Sequence, residues 1–349
     1  MTTAAAAVVT ERTPTPAAPD GGSGTAAIRG GVGEPTPARL GPAGSHDGVL
    51  FAWLVAGYPV AWAVGLGLAH HLLLAAAMVV WLAAHRPLRM ARGTGALALF
   101  LLVVGFSVIG VSSAGALALF MVRFGWYAAA LVSWLYLARH GGATQGQRLV
   151  RSFVILWIVV VVGGWLSVLV PDLSWSTPLA QVLPGPLTDN ELIGRFLQPQ
   201  VSEVQIFRYQ DVILNRPAAP FPYTNGWGSA MALLTPFAIA ATQDRRIGFP
   251  RPVMFGLLVA AVVPFTVALN RGSWLTLGLG LAYGTVRLAR RRRDPRPLVV
   301  LGGLVAIGLT LATVTGVTRS ATEALATRSA DSNETRSGLY VETLTEVAR

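Results

Sequence analysis

The sequence predicts an all-α polytopic membrane protein of about nine spanning helices with its N-terminus in the cytoplasm. Three observations point that way: an apolar composition, a succession of apolar segments of helix length, and arginines confined to alternate connections. Of 349 residues, 53% are hydrophobic and only 12% are charged, with a mean hydropathy of +0.56. A soluble domain needs a more polar exterior for water to solvate, and lipid removes that requirement.

Residues 1–48 are rich in Ala, Pro, Gly and Thr and bury too little apolar surface to offset chain entropy, so they read as a disordered cytoplasmic tail. No basic n-region followed by an apolar h-region opens the chain, so this is not a signal peptide. Residues 49–84 are almost uninterruptedly apolar. One helix of that length would run roughly 54 Å, against a hydrocarbon core of about 30 Å. Two helices fit better, at 49–67 and 69–84, turning near Gly65-Leu66-Gly67. Spans then follow at 95–112, 116–138 and 151–170, the last stopped by Pro171-Asp172. A polar outer loop, 171–226, leads to spans at 227–242, 252–269, 272–288 and 298–317. These spans make a membrane domain over 49–317, and 318–349 is polar again.

Charge in the loops fixes the sidedness. All 27 basic residues are Arg, a usage that reflects GC-rich codons. Fifteen of them fall in one set of alternate connections: Arg86, Arg89, Arg92, Arg139, Arg148, Arg151, Arg245, Arg246, Arg251, Arg287, Arg290 to Arg293 and Arg296. The opposite short connections hold only Arg271. The positive-inside rule puts the Arg-rich side in the cytoplasm, so 171–226, the turn Asn270-Arg271-Gly272-Ser273 and 318–349 face outward. The net charge of +11 is therefore a mark of orientation, and no nucleic-acid partner is expected. The location is the inner (plasma) membrane, in contact with membrane lipids.

Few residues offer chemistry. The absence of cysteine excludes disulfides and thiolate metal sites, and His46, His70, His71, His85 and His140 have no metal-ligand spacing, so no metal or cofactor is expected. His70 and His71 are adjacent and point about 100° apart on a helix, as interfacial residues at the outer end of a span. The run Arg287 to Arg293 reads as a stop signal. Arg123 lies about a third of the way into the fourth span, where a charge costs roughly 2.5–3.5 kcal/mol on insertion scales; it snorkels outward or serves an anionic site. Arg271 has no acidic neighbour in its turn, and Gly272 and Ser273 would let a phosphate approach the N–H groups that open the eighth span. Arg216 begins a loop with Pro217, Pro220 and Pro222 that runs straight into the sixth span, where Asn225 is a reasonable N-cap.

In order and sidedness, these features resemble the O-antigen ligase and O-antigen polymerase family of membrane glycosyltransferases. In that family a loop of the form Arg-Pro-x-Gly-x-Phe-x-Asn-Pro-Asn enters a spanning helix. Arg216-Pro217 and Asn225 match its ends, although the central Gly is absent and Tyr223-Thr224 replace the first Asn-Pro. The family's Ser-Arg-Gly-Ala-Trp-Leu, opening a later helix, is matched by Asn270-Arg271-Gly272-Ser273-Trp274-Leu275. Asn333-Glu334-Thr335-Arg336-Ser337-Gly338-Leu339-Tyr340 looks like the segment that opens the family's large outer loop. The likeness covers roughly 49–349 and implies a GT-C-type membrane core.

The resemblance implies metal-independent transfer of glycan, outside the membrane, from an undecaprenyl-pyrophosphate-linked donor to a glycan or lipid acceptor. It nominates Arg216 and Arg271 for the donor pyrophosphate, Arg123 and Arg208 as weaker candidates, and Asn225 as a polar contact of the loop. Fixed guanidinium groups would stabilise charge on the departing pyrophosphate. The family's catalytic His lies late in the large outer loop, whereas this sequence ends at Arg349 as that loop begins. The expectation is a C-terminally truncated chain that shows no transfer alone. Two rival classes are a transporter or flippase for a polar or lipid-linked substrate, which calls for polar residues in mid-membrane on several helices, and a non-catalytic scaffold, in which Arg216 and Arg271 are freely replaceable.

Overall fold

The structure is a computed structural model that describes residues 48–85, 90–139, 143–183, 188, 190–207, 212–296 and 337–338. The expected tail (but for Gly48), the expected ninth span at 298–317, nearly all of 318–349, and Arg208 lie outside these residues.

The chain is predominantly helical, in this order: α1 (Val49–Ala56), α2 (Tyr58–Ala63), α3 (Gly67–Ala84), α4 (Thr94–Phe106), α5 (Ala114–Arg139), α6 (Ala143–Leu169), α7 (Pro178–Val182) and α8 (Glu191–Leu197). Strands β1 (Ser202–Phe207) and β2 (Val212–Pro217) follow, then α9 (Thr224–Gln243), α10 (Arg251–Ala260), α11 (Val262–Val267) and α12 (Arg271–Arg292). Among the described residues, three helices are long and apolar enough to cross a membrane, over Gly67–Ala84, Gly115–Arg139 and Gly146–Leu169, with shorter apolar helices over Thr94–Gly110 and Arg251–Val267. Leu73, Val80, Leu99, Phe106, Phe255 and Leu275 are exposed on these and neighbouring helices. Such faces are unfavourable in water and suit contact with lipid, so the chain is membrane-associated.

Two expected spans are broken, and proline explains both. Pro59 lies in the first turn of α2 and has no N–H to continue α1, so the chain breaks at Gly57. The carbonyl of Leu54, beside that break, accepts a hydrogen bond from His70 Nε2 at 3.1 Å. Pro264 likewise cannot bond the carbonyl of Ala260, and the helix restarts as α11 after Ala261. Trp165 Nε1 donates to that freed carbonyl at 3.0 Å, closing the gap from α6. The expected fifth span also begins earlier than its apolar run, because α6 continues back through Gln145, Gln147 and Arg148.

Within the polar stretch 171–226 the structure adds strands to a fold expected to be all-α. β1 and β2 form an antiparallel hairpin in which Ser202 faces Pro217 and Glu203 faces Arg216. Its β-branched residues, Val204, Ile206, Val212 and Ile213, favour the extended backbone. The hairpin packs on α6, α9 and α11.

The core centres on α6 and α9. Trp157, Val160 and Val161 of α6 bury against Trp227, Met231, Leu234 and Ala238 of α9 and Met254 of α10. Trp227 Nε1 donates to the Val160 carbonyl at 2.9 Å and Trp157 Nε1 to Thr235 Oγ1 at 3.1 Å, so the two largest buried side chains satisfy their only polar atoms. A second cluster joins Phe51 and Val55 to Met78, Leu82 and Tyr136. Elements α9, α11, α12 and β2 therefore meet around one end of α9, where the nominated residues gather.

Candidate anion site and adjoining pockets

Arg216, the penultimate residue of β2, is 5% exposed, and its Nε donates to the carbonyl of Ala268 at 2.8 Å. Ala268 follows the last turn of α11, where helix carbonyls lack intrahelical partners and carry partial negative charge. The guanidinium therefore ties the hairpin to the turn that leads into α12. Within that turn Leu269 adopts φ 46°, a left-handed conformation uncommon for a branched side chain. Arg216 thus helps to set the direction in which Asn270 and Arg271 leave the turn.

Asn270 is the N-cap of α12: its Oδ1 accepts from Ser273 N at 3.2 Å and its carbonyl from Trp274 N at 3.1 Å. A phosphate approach through the Ser273 N–H is thus pre-empted, which corrects that part of the expectation. The N–H groups of Arg271 and Gly272 are the ones left at this helix start. Asn270 Nδ2 also reaches Asn225 Oδ1, at 3.4 Å, and joins the starts of α9 and α12. Asn225 is not the cap of α9; the helix begins at Thr224 after Tyr223, and Asn225 is an exposed residue of its first turn. Gly228 permits the close approach, because a Cβ there would lie 2.5 Å from Ser273 Oγ and 2.6 Å from Asn270 Nδ2. Ser273 Oγ and Thr224 Oγ1 are buried in this region without a hydrogen-bond partner among the described residues.

Arg271 is exposed at the first position of α12 and has no ion-pair partner among the described residues. The structure thus brings together the chain positions of Arg216, Asn225 and Arg271, although α9, α10 and α11 lie between the first and the last. Arg123 is not tied to them: it is exposed on α5, a helix that packs on α3 and α4.

Sequence reasoning missed Glu203. Its Oε2 accepts from Thr224 N, the first N–H of α9, at 2.8 Å, and its Oε1 lies 3.9 Å from Arg195 Nη1. A carboxylate at a helix start is favoured by the dipole, so Glu203 serves as the cap that Asn225 was expected to supply. Arg195 also pairs with Glu191 at 3.3 Å and lies over the Tyr223 ring, 4.5 Å from its centre. Glu191, Arg195 and Glu203 line a polar pocket of about 400 Å³. The β-branched residues on either side of Tyr209-Gln210-Asp211, Val204 and Ile206 before and Val212 and Ile213 after, were the available signal, since a hairpin there places Glu203 opposite Arg216.

An apolar cavity of about 650 Å³ adjoins this pocket, lined by Phe51, Tyr58, Trp126, Phe153, Phe196 and Phe221 among others. Pro222 lines both spaces, and α8 divides them: Glu191 and Arg195 face the polar pocket, Phe196 the apolar cavity. His71 also lines the cavity, its ring centre 5.2 Å from that of Tyr58.

No family model, no curated protein and no solved structure matches this chain.

Proposed function

We propose that the protein is an O-antigen ligase-like glycosyltransferase with about nine spans, working at the outer face of the plasma membrane. It moves glycan from an undecaprenyl-pyrophosphate-linked donor to a glycan or lipid acceptor. The observation that carries this reading is the convergence of the Arg216 loop with the Arg271 turn, through the 2.8 Å bond from Arg216 to Ala268 and the Asn270–Asn225 contact. Two arginines and the opening N–H groups of α12 then bear on a single region, which is the equipment an anionic leaving group needs. The apolar cavity beside the polar pocket supports an amphiphilic donor, with a chain of apolar carbons on one side and sugar on the other.

In the reaction an acceptor hydroxyl oxygen bonds to the anomeric carbon while the bond from that carbon to the pyrophosphate oxygen breaks. The electron pair leaves with the pyrophosphate, and the hydroxyl proton passes to the histidine that the resemblance calls for. Arg271 contacts the pyrophosphate, and Arg216 holds the turn and adds positive charge behind it. Donor binding tests this with the chain as it stands. In lipid nanodiscs, undecaprenyl pyrophosphate should bind, and Arg271→Ala should weaken it about tenfold or more, as expected for loss of a charged hydrogen-bond donor. Undecaprenol, which lacks the pyrophosphate, should bind both proteins alike. Equal binding of undecaprenyl pyrophosphate to both would overturn the reading.

A further inference from the structure

The polar pocket beside α8 has a charge balance of its own. Glu191 and Glu203 contribute two carboxylates, and Arg195 is the single guanidinium between them, so one negative charge is left in excess. Two of the three are anchored. Glu203 is anchored through Oε2 to the start of α9, and Arg195 is held by Glu191 on one edge and by the Tyr223 ring on its face. Arg216 stands opposite Glu203 in the hairpin, but it is buried, does not line the pocket, and directs its Nε to the Ala268 carbonyl. A pyrophosphate would therefore be repelled here and attracted at Arg271.

The remaining chemistry of the pocket suits neutral hydroxyl groups. At 3.9 Å from Arg195, Glu203 Oε1 makes only a loose ion pair and keeps capacity to accept a hydrogen bond. Gln198 and Gln200 add exposed amides, each with donors and an acceptor. Asn190 spends its Oδ1 capping α8 and retains its Nδ2 donors. Carboxylates and planar amides around about 400 Å³ match a small ligand rich in vicinal hydroxyls, within the range of about 300–1,000 Å³ of small-molecule sites.

We infer that this pocket is a saccharide subsite selective for an uncharged or amino sugar over a uronic acid, with Glu191 and Glu203 as its specificity-determining residues. The inference rests on the glycosyltransferase reading for its context but uses different residues from the anion site. One excess negative charge beside a sugar carboxylate disfavours the acid by about fivefold at close range in water-like surroundings.

Saturation-transfer NMR on the chain in nanodiscs, titrated with methyl glucoside and methyl glucuronide, tests it. The glucoside should bind about fivefold more tightly than the glucuronide. The double variant Glu191→Gln, Glu203→Gln should lose that preference, with the amide oxygen at position 203 still able to accept the Thr224 N–H. Should the double variant fold poorly, Glu191→Gln alone suffices, because that side chain is 82% exposed and its loss should narrow the preference without touching the core. Equal binding of the two glycosides to the native chain, no binding of either, or a preference unchanged in the variants would each overturn the inference. Arg271→Ala should leave the preference intact, so failure of the pyrophosphate assay and failure of this one are separate results.

Discussion

Arg216 and Arg271 share a residue type and occupy opposite physical situations. Arg216 is buried and bonded to the end of α11, so Arg216→Ala should destabilise the fold by about 1–3 kcal/mol as well as weaken donor binding. Arg271 is exposed, so Arg271→Ala should leave the unfolding temperature in detergent unchanged while donor binding falls. Thermal unfolding of both variants separates the roles; equal stability losses would show that Arg271 also supports the fold. Gly228 gives a second test at this scale. A methyl group there meets Asn270 Nδ2 and Ser273 Oγ, so Gly228→Ala should cost about 1–3 kcal/mol by forcing α9 and α12 apart. An unaltered unfolding temperature would mean that the two helix starts are looser than the structure indicates.

At the scale of elements, prolines decide where helices break, and side chains from other helices decide how the breaks are mended. Pro264 deprives the Ala260 carbonyl of its helical partner, and the Trp165 indole supplies another. Trp165→Phe keeps the aromatic volume but leaves that carbonyl unsatisfied, and should lower stability by about 1–3 kcal/mol. In Pro264→Ala the helix can supply its own N–H, so adding Trp165→Phe to it should cost much less. Additive losses in the double-mutant cycle would refute this link. The prolines were plain in the sequence, but which side chain mends each break was not, since Trp165 and Ala260 are 95 residues apart in the chain. The hairpin had a readable pattern in Val204, Ile206, Val212 and Ile213. It was overlooked because a polar stretch between spans reads first as a loop, and strand pairing depends on non-local partners.

For the whole molecule, the decisive quantity is which end of the bundle faces out. The chain has no cysteine, so single introduced cysteines report sidedness directly. Val182→Cys, at a position 81% exposed in the 171–226 stretch, should react with a membrane-impermeant maleimide in intact cells. Arg290→Cys, at an exposed position near the end of α12, should react only after permeabilisation. The opposite pattern would invert the orientation and remove the proposed site from the outer face.

The sequence by itself determined that the chain is helical and membrane-associated, that turns fall near Gly65 and near Asn270, and that Arg216, Asn225 and Arg271 are the unusual residues of their segments. These follow from local quantities: hydropathy over one segment, the missing proline N–H, and the cost of a charge at depth. The tertiary structure alone decided that Arg216 bonds the end of α11, that Glu203 rather than Asn225 caps α9, and that a polar pocket and an apolar cavity meet at Pro222. Each of those joins residues distant in the chain, and packing, which no local pattern encodes, selects the partner that satisfies each buried polar group.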